Sequence, residues 1–284
     1  MKTVTKKAYG KLNLTLDVLR KRPDGYHDMQ MIMQSVDLCD DVTVTVCDSE
    51  GWICTCDRED VPCGSDNLAF KAAEAFFAAL GERPAGLQIS IQKRIPMQGG
   101  MAGGSADAAA VFHALNALYG NRFTLKELMT LGEAVGSDVP YCVMGGTALA
   151  EGRGEVLTAL PPMPQCTYVL VRPQFSVSTP ALFKALDDGD VQKRPNTQSA
   201  IECLYEEDLQ GFCRNVYNVF QPVLSPQYPV VDVICKKLRE LGALSACLTG
   251  TGSVVFGIFD NELAAGYAAA KLEQEYTVFL AKNV

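Results

Sequence analysis

The chain has 284 residues, 48% hydrophobic and 20% charged, and its 25 Lys and Arg against 33 Asp and Glu leave a formal net charge of −8. The apolar content excludes a disordered chain, and 24 Gly with 14 Pro exclude a collagen-like or low-complexity one. An acidic chain without a basic stripe is also a poor candidate for binding duplex nucleic acid.

The first half of the chain begins with strand signals. Apolar and polar residues alternate over 11–19, which predicts a strand, and residues 22–25 suit a type I turn. A returning strand over 26–36 completes a hairpin, whose basic tip at 20–22 is expected to be solvated. Further along we predict a strand at 42–46, a helix capped by Ser65 and Asp66 that ends at Leu80 before Gly81, a strand at 87–92, an alanine-rich helix at 105–119 and a helix from Thr124 to about 135.

A proline cluster at 161–164 separates the two halves, so we predict domains at 1–162 and 163–284. The second half is expected to contain strands near 168–171, 244–248, 254–259 and 277–281, helices at 179–186, 230–241 and 261–275, and a helical insertion over 198–220. Without the insertion and one helix, the order β-α-β-β-α-β is that of a ferredoxin-like sheet. The sequence therefore predicts an α+β protein.

Eleven cysteines are spread over the chain, and an odd number cannot form a closed disulfide framework. Cys54, Cys56 and Cys63 form a cluster that lacks the usual fourth ligand of a structural metal site. We expect free thiols in a reducing cytoplasm. No apolar run approaches 18 residues, so we also expect no membrane span.

Four glycines fall within six residues, directly before the alanine-rich helix: Gly99, Gly100, Gly103 and Gly104. Glycines leave backbone N–H groups accessible, and a helix N-terminus adds unpaired donors and a positive dipole end. The segment therefore suits a phosphate cradle, with a flexible loop as the alternative. It lacks the lysine of a Walker A loop and the glycine spacing of a dinucleotide fingerprint.

Four other segments each allow two interpretations. Lys11 and Asn13 share one strand face about 6.6 Å apart, either at a site or at a solvent-facing edge. Asp138 stands after a helix, as a turn former or as a base, and the pair at 26–27 could pack or stack on a ligand. The segment 249–253 suits a hairpin turn or a second backbone nest for anionic oxygen.

Taken in order, these pieces resemble the GHMP kinase superfamily of galactokinase, homoserine, mevalonate and phosphomevalonate kinases. The resemblance runs from residue 7 to about 259 and is carried by the segments 8–14, 22–27, 137–140, 145–155 and 248–252. It is strongest to the branch whose substrate is 4-diphosphocytidyl-2-C-methyl-D-erythritol, because Tyr26 and His27 follow Gly25 as they do in that branch.

The resemblance implies a two-domain GHMP kinase fold, with an N-terminal α/β domain like domain 2 of ribosomal protein S5 and a ferredoxin-like C-terminal domain. It implies transfer of the γ-phosphoryl group of ATP, with Mg²⁺, to the 2-hydroxyl of this cytidine diphosphate conjugate of a branched polyol, in the non-mevalonate isoprenoid pathway. The implied partner is this small molecule, not nucleic acid or a membrane, and the implied state is a monomer or weak homodimer.

The resemblance also assigns residues. Asp138 is implied as the base that accepts the hydroxyl proton, and Lys11 as the cation that keeps it ionised. Implied substrate contacts are Asn13, Tyr26, His27, Thr179 and Phe183, with the rings of Tyr26 and Phe183 around cytosine. Implied nucleotide contacts are Pro96, Met97, Gly99, Gly100, Met101, Ala102, Gly103, Gly104, Ser105 and Ala106, with Ser105 also toward Mg²⁺.

The loop departs from the family pattern at Gln98 and Ala102, where glycine is preferred, and at Ala106, where a second serine is common. If residue 102 is left-handed, an alanine there costs about 1–2 kcal/mol. Two alternatives remain open at this point. One is another GHMP kinase, acting on homoserine or a mevalonate derivative. The other is a non-catalytic ligand-binding relative, which should have lost Lys11, Asp138 or the glycine loop.

Overall fold

In the computed structural model, which describes residues 1–189 and 191–284, the chain divides into two units that are interleaved along the sequence. The first unit comprises Met1–Gly10, Cys39–Ile95 and Ala102–Gly145, and the second comprises Lys11–Leu38, Pro96–Met101 and Gly146–Val284. The boundary predicted between 162 and 163 divides the chain only once, and it stays a prediction.

Two long strands, β1 (Lys2–Lys21) and β2 (His27–Cys47), contribute residues to both units. In the first unit they are joined by β3 (Gly51–Cys56) and β4 (Gly86–Gln92) in the order β3-β4-β2-β1. Strand β4 pairs antiparallel with residues 41–47 of β2 and parallel with β3. The helices of this unit are α1 (Leu68–Leu80), α2 (Gly103–Leu118), α3 (Leu125–Glu133) and α4 (Val139–Met144).

The alanine-rich helix α2 is buried along most of its length, from Ser105 to Asn116, and it packs against α1 and α4. Alanine has the highest helix propensity, and its small side chain lets neighbouring helices approach closely. Phe112 and Leu115 add larger apolar side chains that are fully buried. The helix that begins at the glycine loop is therefore held rigidly by the core of its own unit.

In the second unit, residues 29–34 of β2 pair with β5 (Thr147–Gly152), which pairs with β6 (Val156–Ala159), and β1 pairs with the short β8 (Tyr217–Asn218). A separate four-stranded sheet contains β7 (Thr167–Arg172), β9 (Ser245–Leu248), β10 (Val255–Phe259) and β11 (Thr277–Lys282) in the order β11-β7-β10-β9. All its pairs are antiparallel, which confirms the predicted ferredoxin-like order. The helices are α5 (Thr179–Asp188), α6 (Thr197–Tyr205), α7 (Leu209–Asn215), α8 (Phe220–Leu224), α9 (Val230–Glu240) and α10 (Glu262–Leu272).

Several local predictions are confirmed and several are wrong. The turn after β1 forms, with the Gly25 N–H donating to the Arg22 carbonyl at 3.1 Å, and Gly81 ends α1 at a φ of 73°. The strands predicted at 26–36 and 42–46 are the single strand β2, and the N-cap of α1 is Asn67 rather than Ser65 or Asp66. The elements β3, α4, β5, β6 and α8 were not predicted, and the strand β8 lies within the segment predicted as a helical insertion. All eleven cysteines are free, and none of the described helices has the length and apolar character needed to cross a membrane.

Candidate active site

Lys11 and Asn13 are buried inside the second unit, at 4% and 1% exposed, so the interpretation as a solvent-facing edge is wrong. The Lys11 Nζ donates to Asn13 Oδ1 at 2.5 Å, and the Asn13 Nδ2 lies 3.2 Å from Met31 Sδ. The Asn13 backbone N–H donates to Thr249 Oγ1 at 3.0 Å. The strand thus holds an ammonium group and a polar amide in a protected environment.

The segment 249–253 forms the turn between β9 and β10, and the loop 96–101 packs directly against it. The Val254 N–H donates to the Gly99 carbonyl at 3.2 Å. Gly100 has a φ of +76°, and a Cβ there would lie 2.4 Å from the Thr249 carbonyl oxygen. Only glycine fits so close a backbone approach, so this part of the loop is held in place by the turn.

The helix α2 begins with an exposed and uncapped N-terminus in the first unit. Its N-cap, Ala102, provides no side-chain hydrogen bond, and Gly104 is exposed. A Cβ at Gly103 would lie 3.2 Å from Ile95 Cγ2 and 3.3 Å from Lys93 Nζ. The free N–H groups of the first turn of a 16-residue helix fit the phosphates of a nucleotide.

Two residues of the glycine-rich loop adopt the left-handed conformation without being glycine. Gln98 has a φ of 54°, and Ala102 has a φ of 56° with a ψ of 32°. Residue 102 is therefore left-handed, and for an alanine this conformation costs about 1–2 kcal/mol. Ala106 lies in regular helix and is buried.

A buried ionic cluster that sequence analysis missed lies beside this helix start. Lys93, whose side chain is 1% exposed, contacts Asp40 and donates to Asp107 Oδ2 at 2.7 Å. Burial raises the pKa of Asp107 to about 7, against the opposing effect of Lys93. Burial alone would lower the pKa of Lys93, but Asp107 and Asp40 outweigh it and raise that pKa. In the sequence, the indication of this cluster is the carboxylate of Asp107, which stands within an alanine-rich helix.

Asp138 is the N-cap residue of α4, yet its side chain makes no capping hydrogen bond. The loop before it lies next to the start of α2, because a Cβ at Gly136 would be 4.0 Å from Ser105 Oγ. The carboxylate is therefore not used to terminate its own helix, which weakens its interpretation as a turn former. The first unit places Asp138 and the uncapped helix start in neighbouring loops.

Tyr26, His27, Thr179 and Phe183 all lie in the second unit. The His27 imidazole stacks on the Phe183 ring, with centroids 4.7 Å apart and planes inclined by 26°, and its Nε2 lies 2.8 Å from Asp187 Oδ1. Tyr26 is 56% exposed, with its ring under the Arg153 guanidinium at 5.1 Å. The Thr179 hydroxyl lies 3.0 Å from that of Thr251. The Tyr26 ring thus contacts a guanidinium group and the Phe183 ring contacts an imidazole, and Asp187 is a residue that sequence analysis missed.

The basic hairpin tip is exposed, as predicted, but its charges are paired. Arg20 and Arg22 bind Asp28 at 2.5 Å and 2.9 Å, and Lys21 binds Asp187 Oδ2 at 2.6 Å. The tip is consequently tied to α5 of the same unit and is not a free cationic surface.

Comparison with known proteins gives the class first. The family described as GHMP kinases N terminal domain matches residues 67–146, and the one described as GHMP kinases C terminal matches residues 200–278. The chain has the two-domain fold of a GHMP kinase. A crystal structure of 4-(cytidine 5'-diphospho)-2C-methyl-D-erythritol kinase superposes with a TM-score of 0.84 at 29% identity, covering 99% of both chains.

Sequence relatives narrow the class to one kinase. A protein of Caldicellulosiruptor saccharolyticus named 4-diphosphocytidyl-2-C-methyl-D-erythritol kinase is 43% identical over 267 residues, which cover 94% of this chain and 92% of the relative. One of the same name from Acetivibrio thermocellus is 41% identical over the full length of both chains. The chain belongs to the 4-diphosphocytidyl-2-C-methyl-D-erythritol kinase family. A homoserine kinase from Cytophaga hutchinsonii, at 20% identity and a TM-score of 0.75, shares the fold alone.

Proposed function

We propose that the protein transfers the γ-phosphoryl group of ATP to the 2-hydroxyl of 4-diphosphocytidyl-2-C-methyl-D-erythritol, a step in making isoprenoid precursors. The observation that carries the proposal is the buried Lys11 ammonium, which donates to a neutral amide and has no described carboxylate of its own unit within ion-pair distance. A buried cation is costly unless an anion meets it. A phosphoryl group in transfer is such an anion, and the named relatives support the choice of substrate.

Asp138 is assigned the role of accepting the proton of the substrate hydroxyl. Phosphoryl transfer proceeds through a loose transition state, so the protein contributes mainly positioning and charge stabilisation. The absence of a capping bond to the Asp138 side chain supports the assignment, because the carboxylate is left available to a ligand. Lys11 stabilises charge on the transferred group.

The nucleotide phosphates are assigned to the backbone N–H groups of Gly103, Gly104 and Ser105. Their support is the uncapped helix terminus, whose dipole favours negative charge. Among the described residues, no three His, Cys, Asp or Glu side chains are grouped to hold a metal ion. Mg²⁺ often binds through substrate phosphates and few protein ligands, which fits the Ser105 hydroxyl as a single protein contact. When bound, Mg²⁺ neutralises charge on the phosphates.

The cytidine half of the substrate is assigned to Tyr26, His27 and Phe183. Aromatic faces bind nucleobases by stacking, and Tyr26 is exposed enough to offer one. Homoserine and mevalonate contain no nucleobase, so a kinase that acts on either of them does not need such a group of aromatic rings.

The test is an ADP-release assay with 4-diphosphocytidyl-2-C-methyl-D-erythritol, homoserine, mevalonate and phosphomevalonate as separate acceptors. We expect ADP release with the first acceptor alone, and phosphorus–carbon coupling in the product's NMR spectrum should place the new phosphate at position 2. ADP release with another acceptor, and none with the cytidine compound, would overturn the proposal.

A matched pair of lysine variants tests the role of the buried Lys11 ammonium. Lys11→Met should lower kcat by about 10²–10³-fold, the usual effect of removing one donor to a developing charge. Lys7→Met removes a lysine of the same strand whose side chain is 51% exposed and pairs with Asp41, and it should leave kcat within about twofold. A Lys11→Met enzyme that keeps more than a tenth of the wild-type kcat would contradict the role of Lys11.

A further inference from the structure

Two residues of α5 hold the imidazole of His27 from two directions. Phe183 and Asp187 are four residues apart, and residues at this spacing share one face of a helix. The Phe183 ring lies against the imidazole plane at 4.7 Å, while Asp187 Oδ1 lies 2.8 Å from Nε2 at the ring edge. The His27 side chain is only 9% exposed. Together the stacking and the hydrogen bond fix both the plane of the ring and its rotation.

The charge state of Asp187 determines which ring nitrogen carries the proton. A hydrogen bond from Lys21, followed by one from His27, lowers the pKa of Asp187, so its carboxylate is ionised at neutral pH. An ionised carboxylate only accepts hydrogen bonds, so the Nε2 that faces it carries the proton. In a neutral imidazole, Nδ1 is then a lone-pair acceptor. None of the described residues forms a hydrogen bond with Nδ1, which leaves it for a ligand.

We propose that Asp187 is the positioning residue that sets the base preference of this kinase, by holding His27 in the tautomer whose Nδ1 accepts a hydrogen bond from the exocyclic amino group of cytosine. The inference rests on the proposed function, since it assumes that a cytidine diphosphate compound is the ligand. Uracil has a carbonyl oxygen in place of the amino group, and two acceptors facing each other repel. Asp187 itself does not contact the base, and its effect passes through His27.

The first arm of the test observes the tautomer directly, without any ligand. The chain has two histidines, so protein labelled with ¹⁵N-histidine gives only two imidazole spin systems. His113 lies 3.0 Å from the Val143 carbonyl oxygen through its own Nε2 and serves as an internal reference. In wild-type protein with a neutral His27 imidazole, we expect Nε2 to be protonated and Nδ1 unprotonated. In Asp187→Ala, both His27 shifts should move toward the average of the two tautomers, while those of His113 stay unchanged.

The second arm measures base preference by calorimetric titration of CDP and UDP. Wild-type protein should prefer CDP, and Asp187→Ala should reduce that preference by about 10-fold, as expected for one hydrogen bond. The affinity for a non-hydrolysable ATP analogue should not change. Asp188→Ala is the matched control, because it removes an exposed carboxylate from the next position of the same helix, and it should keep the full preference.

The outcomes separate the two proposals. Wild-type protein that does not discriminate between CDP and UDP refutes the cytidine assignment, whatever the imidazole spectrum shows. Wild-type protein that prefers CDP, with an Asp187→Ala variant that retains both the preference and the wild-type imidazole shifts, overturns the role of Asp187 alone. Equal losses for CDP, UDP and the ATP analogue would also overturn it, by showing a structural role. If Asp187→Ala does not fold, Asp187→Asn is measured instead, because its amide can face Nε2 with either its oxygen or its NH₂ group and no longer selects one tautomer.

Discussion

Replacing Ala102 with glycine should stabilise the protein, although it removes a side chain. Ala102 caps α2 with a φ of 56° and a ψ of 32°, a conformation in which the Cβ of an L-residue approaches the following carbonyl oxygen. Relief of this contact is worth about 1–2 kcal/mol, and the larger conformational freedom of glycine in the unfolded chain subtracts about 0.4–1 kcal/mol. The side chain makes no capping bond and is only partly buried, so little else is lost. The expected net gain is about 1 kcal/mol.

Urea denaturation and thermal unfolding measure this gain, and 1 kcal/mol corresponds to a rise in Tm of about 2–4 °C. The matched control is Ala106→Gly, four residues further along the same helix. There the same change removes a buried methyl group and lowers helix propensity, so it should destabilise by about 1–2 kcal/mol. Opposite signs for the two variants support the left-handed conformation. A loss of stability in Ala102→Gly would refute the reasoning.

Three further predictions concern the base, the cytosine stack and the buried ionic cluster. Asp138→Asn should lower turnover by about 10²–10⁴-fold, because the amide cannot accept the proton, while calorimetry shows the substrate still bound. Tyr26→Ala should raise the dissociation constant for CDP by about 5- to 150-fold in calorimetry and leave an ATP analogue unaffected. Because the folded-state pKa of Asp107 is raised to about 7 from 3.8, the contribution of this carboxyl to stability should decline between about pH 4 and pH 7, and the pH profile of Asp107→Asn in urea denaturation should lack that decline relative to wild type.

Each of these has a control on the same protein. Asp66→Asn changes an exposed carboxylate in the unit of Asp138 and should leave turnover unchanged, and Tyr205→Ala removes a ring that is 71% exposed without affecting CDP. Asp40→Asn should destabilise at every pH, because the NH₂ group that takes the place of Oδ2 cannot accept the hydrogen bond from the buried Lys93 ammonium. The prediction for Asp138 is contradicted if Asp138→Asn keeps more than a tenth of the wild-type turnover. The prediction for Tyr26 is contradicted by an unchanged CDP affinity in Tyr26→Ala, and that for Asp107 by a pH profile of Asp107→Asn that parallels the wild type.

Elements whose signals are local were predictable from the sequence. Thr124 caps α3 and Glu127 reaches back to its N–H, a reciprocal pair that the sequence spacing indicates. Gly81 ends a helix and Gly25 lies in a turn, and both have the positive φ that favours glycine at such positions. In these places the residues that determine the conformation lie within four positions of each other.

Elements that depend on distant partners were not predictable. The sequence predicts two strands where the structure has the single strand β2, because acidic residues interrupt the apolar pattern near Asp40. In the structure Asp40 is fully buried, because Lys93 and the backbone N–H groups that follow it bind the carboxylate. These partners lie 53 to 55 residues further along the chain, and hydrophobic periodicity carries no information about them.

The candidate site divides in the same way. Lys11, Asn13 and the glycine loop stand out as motifs, so their positions could be predicted even though their burial could not. Asp187 belongs to no motif, and it gains its contact only because α5 packs beside His27, 160 residues earlier in the chain. Residues that act through another side chain leave little trace in a sequence taken alone.

The contact between Asn13 and Thr249 also sets a time order for the making of the protein. The two residues are 236 positions apart, and a ribosome adds about 5–20 residues per second. The strand segment that holds Lys11 and Asn13 therefore emerges about 10–50 s before the turn that its backbone binds. During that interval the Asn13 N–H lacks its native partner, so a chain released before Thr249 is added cannot complete the second unit. Truncated translation products should accordingly expose this segment to proteases and chaperones.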